Sequence, residues 1–290
     1  MLKMLRTELW KALHNSYFYL ALSIGLVIVL INLCQNAIRV QLFTEWTLRG
    51  LETGHASGAH DGFSLFISTL AYNANANYGT VLFQVLWPIL AAMPFSWSYN
   101  AERRSGLYNQ IVARCGNGQF ILAKYAAVFI SGGLVVSLTM LVDLLLNALV
   151  CPFSVLDVCD SLSGVTNDTF MSMLYYTNPW AHALIWCVVV FFLGGSAAGL
   201  SFLVGTRLKL RVLVILLPFA ILIVWNVLYY FGIYAYFWQY LPSLSLSPLE
   251  MIQVIGGNGT PEWFVLLTIS MLTIVGLGAA IWQVKHHELV

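Results

Sequence analysis

Only a few polar side chains in this sequence have a type and spacing suited to chemistry. His55, His60 and Asp61 lie in a glycine-rich stretch and could ligate a metal ion, but solvated loop residues are the simpler interpretation. A P-loop needs a lysine followed by Ser or Thr after a glycine-rich turn. The residues that follow the five lysines are Met4, Ala12, Tyr125, Leu210 and His286. We therefore predict no metal site and no nucleotide site in this chain.

One serine stands in an enzyme-like pattern. Gly194-Gly195-Ser196-Ala197 is similar to the Gly-x-Ser-Gly of six-span intramembrane serine proteases, with Ala197 in place of the second glycine. Such a serine needs a base to become a nucleophile, and the two apolar segments that follow contain no histidine. We favour a structural role, in which the small residues at 194–199 let two helices approach closely. An intramembrane protease is the minor alternative, and no catalytic residue is predicted.

Asp143 is the single charged residue in the apolar stretch 126–150. It stands roughly 28 Å beyond Lys124 along a helix, which places it near the outer membrane interface. A proton relay needs further titratable partners at depth, so we favour an interfacial position without such a role. In the next stretch, Cys151 and Cys159 can form a disulfide where the surroundings are oxidising. The alternative is two free thiols.

Composition indicates that membrane helices position these residues. The chain has 290 residues, of which 60% are hydrophobic and 9% charged, whereas a soluble domain has roughly 25% charged residues. Its net charge of +1 gives no basic face for nucleic acid. Apolar runs long enough to cross about 30 Å of hydrocarbon cover about 15–36, 78–98, 120–150, 180–205, 211–233 and 263–284. We predict an all-α polytopic membrane protein, a single domain over 1–290 with six transmembrane helices; five or seven is the alternative.

The basic residues set the orientation of these spans. Eleven of the thirteen Lys and Arg residues fall on the side that also holds both termini. The other side has Arg39 and Arg49 together with eight acidic residues. The positive-inside rule therefore places both termini in the cytoplasm. We predict a multi-pass protein of an inner or plasma membrane.

The first residues, 1–14, predict an amphipathic helix. Leu2, Leu5, Leu9 and Leu13 recur at helical spacing, and the basic residues between them lie off this stripe. Such a helix lies in the membrane interface with its apolar face towards lipid. The alternative is a positively charged flank that only orients the first span.

Residues 100–115, between the second and third spans, have the features of one short capped helix. Asn100 can cap its start, and Glu102 suits the positive end of a helix. Leu107 and Ile111 form a short apolar stripe four residues apart. A helix of this kind either lies on lipid or docks into another protein.

At this point the sequence resembles the permease subunit of type-2 ABC exporters. The resemblance rests on the amphipathic N-terminal helix, six spans and a Glu-basic-x-x-Gly-Leu segment, and it covers the architecture of nearly the whole chain. Family members often have a second acid and a Thr where this chain has Arg104 and Leu107. The resemblance implies that 100–115 is a coupling helix seated in a separate ATPase. Its candidate coupling residues are Glu102, Arg103, Arg104, Gly106, Leu107 and Ile111.

The same resemblance implies the partners. A second copy of this chain would form a homodimer in the lipid bilayer, and two cytoplasmic ATP-binding subunits would bind ATP and Mg. This chain would then be no enzyme and would carry no cofactor of its own. Residues 241–262 would correspond to short re-entrant helices before the last span.

The scarcity of charge in the spans indicates the cargo. Apart from Asp143, no formal charge is present to hold an anionic polymer. We therefore predict export of amphipathic or hydrophobic peptides, such as toxins or bacteriocins. Export of lipid, drug or polysaccharide is the alternative within this class. The rival class is an ion-coupled secondary transporter, which should show broken helices and polar residues at the membrane midplane.

Overall fold

The computed structural model describes residues 2–53, 64–72, 77–153, 165, 169–208, 210–235, 247–254 and 262–287. Within these ranges the chain is helical and contains no β-strand, so the predicted all-α fold class is confirmed. Many leucine, isoleucine and valine side chains on the long helices are exposed. Apolar surface of this extent is typical of a protein embedded in a membrane.

We number the α-helices of the described ranges in chain order. They are α1 (Leu2–Leu13), α2 (Ser16–Glu52), α3 (Leu65–Ser68), α4 (Tyr78–Ala92), α5 (Ser98–Arg104), α6 (Leu107–Cys115), α7 (Asn117–Asn147), α8 (Ser172–Thr177), α9 (Pro179–Arg207), α10 (Arg211–Leu228) and α11 (Glu262–His287). A π-helical turn at Tyr229–Tyr234 extends α10, and a 3₁₀-helix covers Glu250–Ile252. The long helices lie close to the predicted spans, except that α2 continues to Glu52 instead of ending near residue 36.

Among the described residues, five helices are long and apolar enough to cross a membrane: α2, α7, α9, α10 and α11. The predicted second span, 78–98, contains α4, which has 15 residues and is therefore about 22 Å long. It ends at Ala92 because Pro94 has no N–H to donate to the carbonyl of Leu90. The chain then turns and continues as α5. The described helices are thus consistent with an all-α membrane protein, and the count of six spans stays a prediction.

Helices α7 and α9 pack together at the centre of the bundle. A Cβ added to Gly132 of α7 would lie 2.4 Å from the Cβ of Ala198, and one added to Gly195 of α9 would lie 2.7 Å from the ring of Phe129. Neither distance leaves room for a side chain. The prediction that the small residues at 194–199 let two helices approach closely is therefore confirmed.

One end of the bundle collects the segments that the sequence places in the cytoplasm. Helix α1 packs along the start of α7, and the amide of Asn100 in α5 donates to the carbonyls of Gly205 and Leu208, where α9 ends. The guanidinium of Arg211, at the start of α10, lies 4.7 Å from the ring centre of Trp97. We call this the basic end. Its predicted cytoplasmic orientation stays a prediction.

Away from the basic end, two non-spanning segments, 64–72 and 247–254, are buried among the helices. Their backbones share a hydrogen bond of 2.7 Å. The indole N–H groups of Trp87 and Trp186 each donate to a carbonyl of the second segment at 3.2 Å. The second segment is the described part of 241–262, and it contains a buried 3₁₀-helix in the place where the resemblance implies short re-entrant helices.

Candidate functional site

Four charged side chains from three helices meet at the basic end: Glu8 and Lys11 of α1, Glu102 of α5 and Lys124 of α7. Lys11 Nζ lies 2.7 Å from a carboxylate oxygen of Glu8 and 3.3 Å from one of Glu102. Lys124 Nζ lies 3.2 Å from the other oxygen of Glu8 and also contacts Glu102. Each carboxylate therefore bridges both ammonium groups, and the formal charges cancel. We call these four residues the charge cluster.

The charge cluster is buried unevenly. The side chains of Glu8 and Lys124 are fully buried, whereas Glu102 is 15% exposed and Lys11 is 38% exposed. Lys124 Nζ also lies 5.0 Å from the ring centre of Phe120, a favourable position for a cation. Because both buried charges are desolvated, removing either one would leave the other buried with a single, more exposed counter-charge, Lys11 for Glu8 or Glu102 for Lys124.

The carboxylates keep Lys11 charged. Partial burial by itself lowers the pKa of this ammonium group, but the hydrogen bond and negative charge of Glu8, followed by those of Glu102, raise it more. The net result is a raised pKa, so Lys11 is protonated at neutral pH. On α5, burial raises the pKa of Tyr99 to about 12. The phenol of Tyr99 is therefore neutral at physiological pH.

A turn at Gly106 separates α5 from α6. Its φ of +74° is left-handed, a conformation that costs little for glycine and more for other residues. We predicted one capped helix over 100–115, and the structure differs because this turn divides the segment in two. Asn100 caps neither helix, since it lies inside α5 and its amide bonds to the end of α9. Glu102 is thus held between an anchored residue and a tight turn.

Three of the predicted coupling residues face outward. Arg103, Arg104 and Leu107 are exposed, and Leu107 has 43% of its surface accessible. Ile111 is partly buried and packs against the hydrophobic core, so it does not share a fully exposed stripe with Leu107. The exposed surface of α5 and α6 therefore combines two guanidinium groups with an apolar side chain.

The predicted leucine stripe of α1 is partly buried. Leu5, Leu9 and Leu13 are intermediate in burial, while Leu2 is 82% exposed. Glu8, which the stripe does not include, is fully buried on the face that contacts α7. The helix predicted over 1–14 is present, but a charged residue occupies the centre of its buried face.

Several other candidates fall outside the described residues. Cys159, His55, His60 and Asp61 are among them, so the predictions made for them stay predictions. Cys151 is described, and its side chain is buried. In the part of the chain that the structure describes, no three His, Cys, Asp or Glu side chains form a group able to hold a metal ion.

Ser196 and His182 both belong to α9, but the two side chains are far apart. Ser196 of α9 is buried and donates to the carbonyl of Leu193 at 2.8 Å. His182 lies about 21 Å away along α9. Its ring nitrogens bond instead to the hydroxyl of Tyr72 at 2.5 Å and the carbonyl of Phe170 at 2.9 Å. This geometry gives Ser196 no general base from His182.

The sequence reasoning missed the charge cluster, although it identified Glu102. A signal was present, because Glu8 is the single acid before Glu45 and stands three residues from Lys11. Its second cation, Lys124, comes from a helix 116 residues later. Local spacing cannot reveal that contact.

The chain matches no family model, no curated protein and no solved structure. The geometry of the charge cluster and of the exposed surface of α5 and α6 is therefore the basis for a functional assignment.

Proposed function

We propose that this chain is the membrane-spanning subunit of an ATP-driven exporter of the type-2 ABC kind. The observation that carries the proposal is the charge cluster, because it joins an exposed helical hairpin, α5 and α6, to a long apolar helix. Lys124 lies within the third turn of α7, a helix of 31 residues. A displacement of Glu102 therefore acts directly on a helix that crosses the bundle.

The surface of α5 and α6 is suited to a protein partner. Arg103 and Arg104 would pair with acidic groups of that partner, and Leu107 would fill a shallow apolar pocket. Buried anchors of this kind give most of the binding energy of an interface. In our proposal the partner is a cytoplasmic ATPase that binds ATP and Mg, with two copies of it serving two copies of this chain.

A lateral groove supports an apolar cargo. It lies between α7, α9 and α11, has a volume of about 710 Å³ and is lined mainly by apolar side chains such as Phe129, Phe192 and Leu277. Among its described lining residues, the polar side-chain atoms are hydroxyl groups, including those of Ser270 and Thr273. Its volume is typical of ligand pockets, roughly 300–1,000 Å³. Such a lining favours a hydrophobic peptide or a lipid over an anionic glycan.

Photo-cross-linking tests the proposed partner. A photoreactive amino acid replaces Leu107 in the full-length chain, and the chain is irradiated in its native membrane. We expect the cross-linked protein, identified by mass spectrometry, to be an ATPase with a P-loop. The matched control replaces Met173, which is 82% exposed on α8 and distant from the basic end. That position should give no ATPase adduct.

Two outcomes would contradict the proposal. One is a position-107 adduct with lipid alone, and the other is an ATPase captured equally from both positions. A peptide test follows with the purified complex, in which amphipathic helical peptides should stimulate ATP hydrolysis and anionic glycans should not. Stimulation by glycans alone would instead favour a polysaccharide exporter.

A further inference from the structure

A second buried polar cluster lies away from the basic end. Asp143 and Asn147 are in the last two turns of α7, Asn32 and Asn36 are in α2, and Asn77 immediately precedes α4. All five side chains are almost fully buried. We call these residues the amide cluster.

The carboxylate of Asp143 accepts hydrogen bonds from neutral donors. The backbone N–H of Leu70 donates to one oxygen at 2.7 Å, and the amides of Asn32 and Asn147 donate to the other at 3.0 and 2.9 Å. Within the described residues, no lysine, arginine or histidine forms an ion pair with Asp143. An ionised Asp143 would therefore lack a counter-charge among the described residues, in an interior where charge is costly.

The side-chain oxygen of Asn77 lacks a hydrogen-bond donor among the described residues. Its Nδ2 donates to the side-chain oxygens of Asn32 at 2.9 Å and Asn36 at 2.6 Å, so the side chain points into the cluster. An asparagine before a helix normally uses its oxygen to cap the first turn, but Asn77 makes no such bond to α4. Its Oδ1 is buried and accepts no hydrogen bond from the described chain.

We infer that the amide cluster binds a monovalent metal cation, with sodium as the ion to test first. A metal cation would neutralise Asp143 and give the oxygen of Asn77 a partner at the same time. A proton would satisfy the carboxylate alone, and a water molecule would satisfy the amide alone. A divalent ion would leave a net positive charge, because the cluster has one carboxylate.

The surroundings of the amide cluster favour a cation. Carboxylate and amide oxygens are hard ligands that suit such ions. Asp143 and Asn147 also lie at the C-terminal end of α7, where the helix dipole is negative. The amide cluster is close to the C-terminal end of α7 and therefore lies away from the centre of the bundle.

A bound cation would stabilise the buried segment 64–72. The carbonyl of Ser68 accepts hydrogen bonds from Asn32 at 3.1 Å and Asn36 at 2.8 Å, and Leu70 is bound by Asp143. The cluster therefore joins this segment to α2 and α7. Its occupancy requires neither ATP nor an ATPase.

Thermal unfolding of the purified full-length protein tests the inference. Tryptophan fluorescence is followed while NaCl or KCl replaces choline chloride at constant ionic strength, and ²²Na⁺ binding is measured in parallel. We expect a saturable rise in unfolding temperature and one ion bound per chain. Both effects should disappear in Asp143→Asn, and Asn77→Ser should weaken the apparent affinity at least tenfold. Asn226→Ala, outside the amide cluster, should behave as the parent.

Three results would overturn the inference. The first is an unfolding temperature that does not respond to sodium or potassium, with no ²²Na⁺ bound. The second is stabilisation by low pH alone, which would indicate a proton in place of a metal ion. The third is an unchanged sodium response in Asn77→Ser. If Asp143→Asn does not fold, the sodium titrations of the parent and of Asn77→Ser still test the inference. Because no ATPase is present, these results are independent of the proposed export function.

Discussion

Replacing Lys124 with methionine tests whether the charge cluster holds the basic end together. Methionine keeps part of the side-chain length but removes the ammonium group that pairs with Glu8 and Glu102. Glu8 would remain fully buried, with Lys11 as its single ion-pair partner in the cluster. Breaking a buried ion pair in this way costs about 3–5 kcal/mol. We expect Lys124→Met to lower the free energy of unfolding by an amount in this range.

Lys11→Met is the matched control. Lys11 contacts the same two carboxylates, but it is 38% exposed, so water screens its charge. Ion pairs at such positions contribute roughly 0.2–1 kcal/mol. The two variants remove the same group from the same cluster, and burial is the main difference between them. A Glu8→Gln, Lys124→Met double variant should lose less stability than Lys124→Met alone, because position 8 then carries no buried charge.

The assay is thermal and denaturant unfolding of the purified protein, followed by tryptophan fluorescence. Limited trypsin digestion at Arg6 would report whether α1 has separated from α7. The parent, Glu8→Gln, Lys124→Met and the double variant form a double-mutant cycle that isolates the coupling between Glu8 and Lys124. Equal and small losses in Lys124→Met and Lys11→Met would refute the reasoning, and so would a double variant less stable than Lys124→Met.

Three further outcomes are expected at the basic end and across the membrane. The pKa of Lys11 is raised above its ordinary 10.5. The contribution of Lys11 to stability is therefore complete below about pH 10.5 and is lost as the pH rises through the higher pKa of the folded state. Unfolding measured at a series of alkaline pH values tests this. Gly106→Ala, at a φ of +74°, should lower the free energy of unfolding by about 1 kcal/mol. Gly278→Ala, with open space around it, should leave the free energy of unfolding unchanged. The unfolding temperatures of the two variants test this difference. With native cysteines replaced, a single cysteine at Leu107 should resist an impermeant thiol reagent in intact cells, and one at Met173 should react. Reaction at position 107 would reverse the predicted orientation.

The long helices could be predicted from the sequence because each depends on a run of neighbouring residues. An apolar run of about 20 residues is enough to identify a span, and the small residues at 194–199 indicated close helix packing, which the structure confirms. The end of α4 near Pro94 and the break at Gly106 also have local causes. The apolar run at 78–98 and the capping residue Asn100 nevertheless predict continuous helices over 78–98 and 100–115.

The two polar clusters depended on contacts between distant segments. Part of the amide cluster was nevertheless visible, since Asn32 and Asn36 are four residues apart, as are Asp143 and Asn147. That spacing places each pair on one face of its helix. Asparagine is neither charged nor nucleophilic, so the sequence by itself predicts Asp143 as an isolated charge. Which faces meet is decided by packing of α2 against α7, which no local pattern encodes.

The two clusters are attached to the same helix. Lys124 and Asp143 are 19 positions apart in α7, or roughly 28 Å along its axis. At one end α7 is bound through charges to α1 and α5, and at the other it is bound through amides to α2 and the segment 64–72. If a displacement of Glu102 moves α7 as a rigid body, the contacts of the amide cluster must therefore change as well. Coupling free energies are reciprocal. If a partner seated on α5 and α6 alters cation affinity by some factor, the cation must alter the affinity for that partner by the same factor.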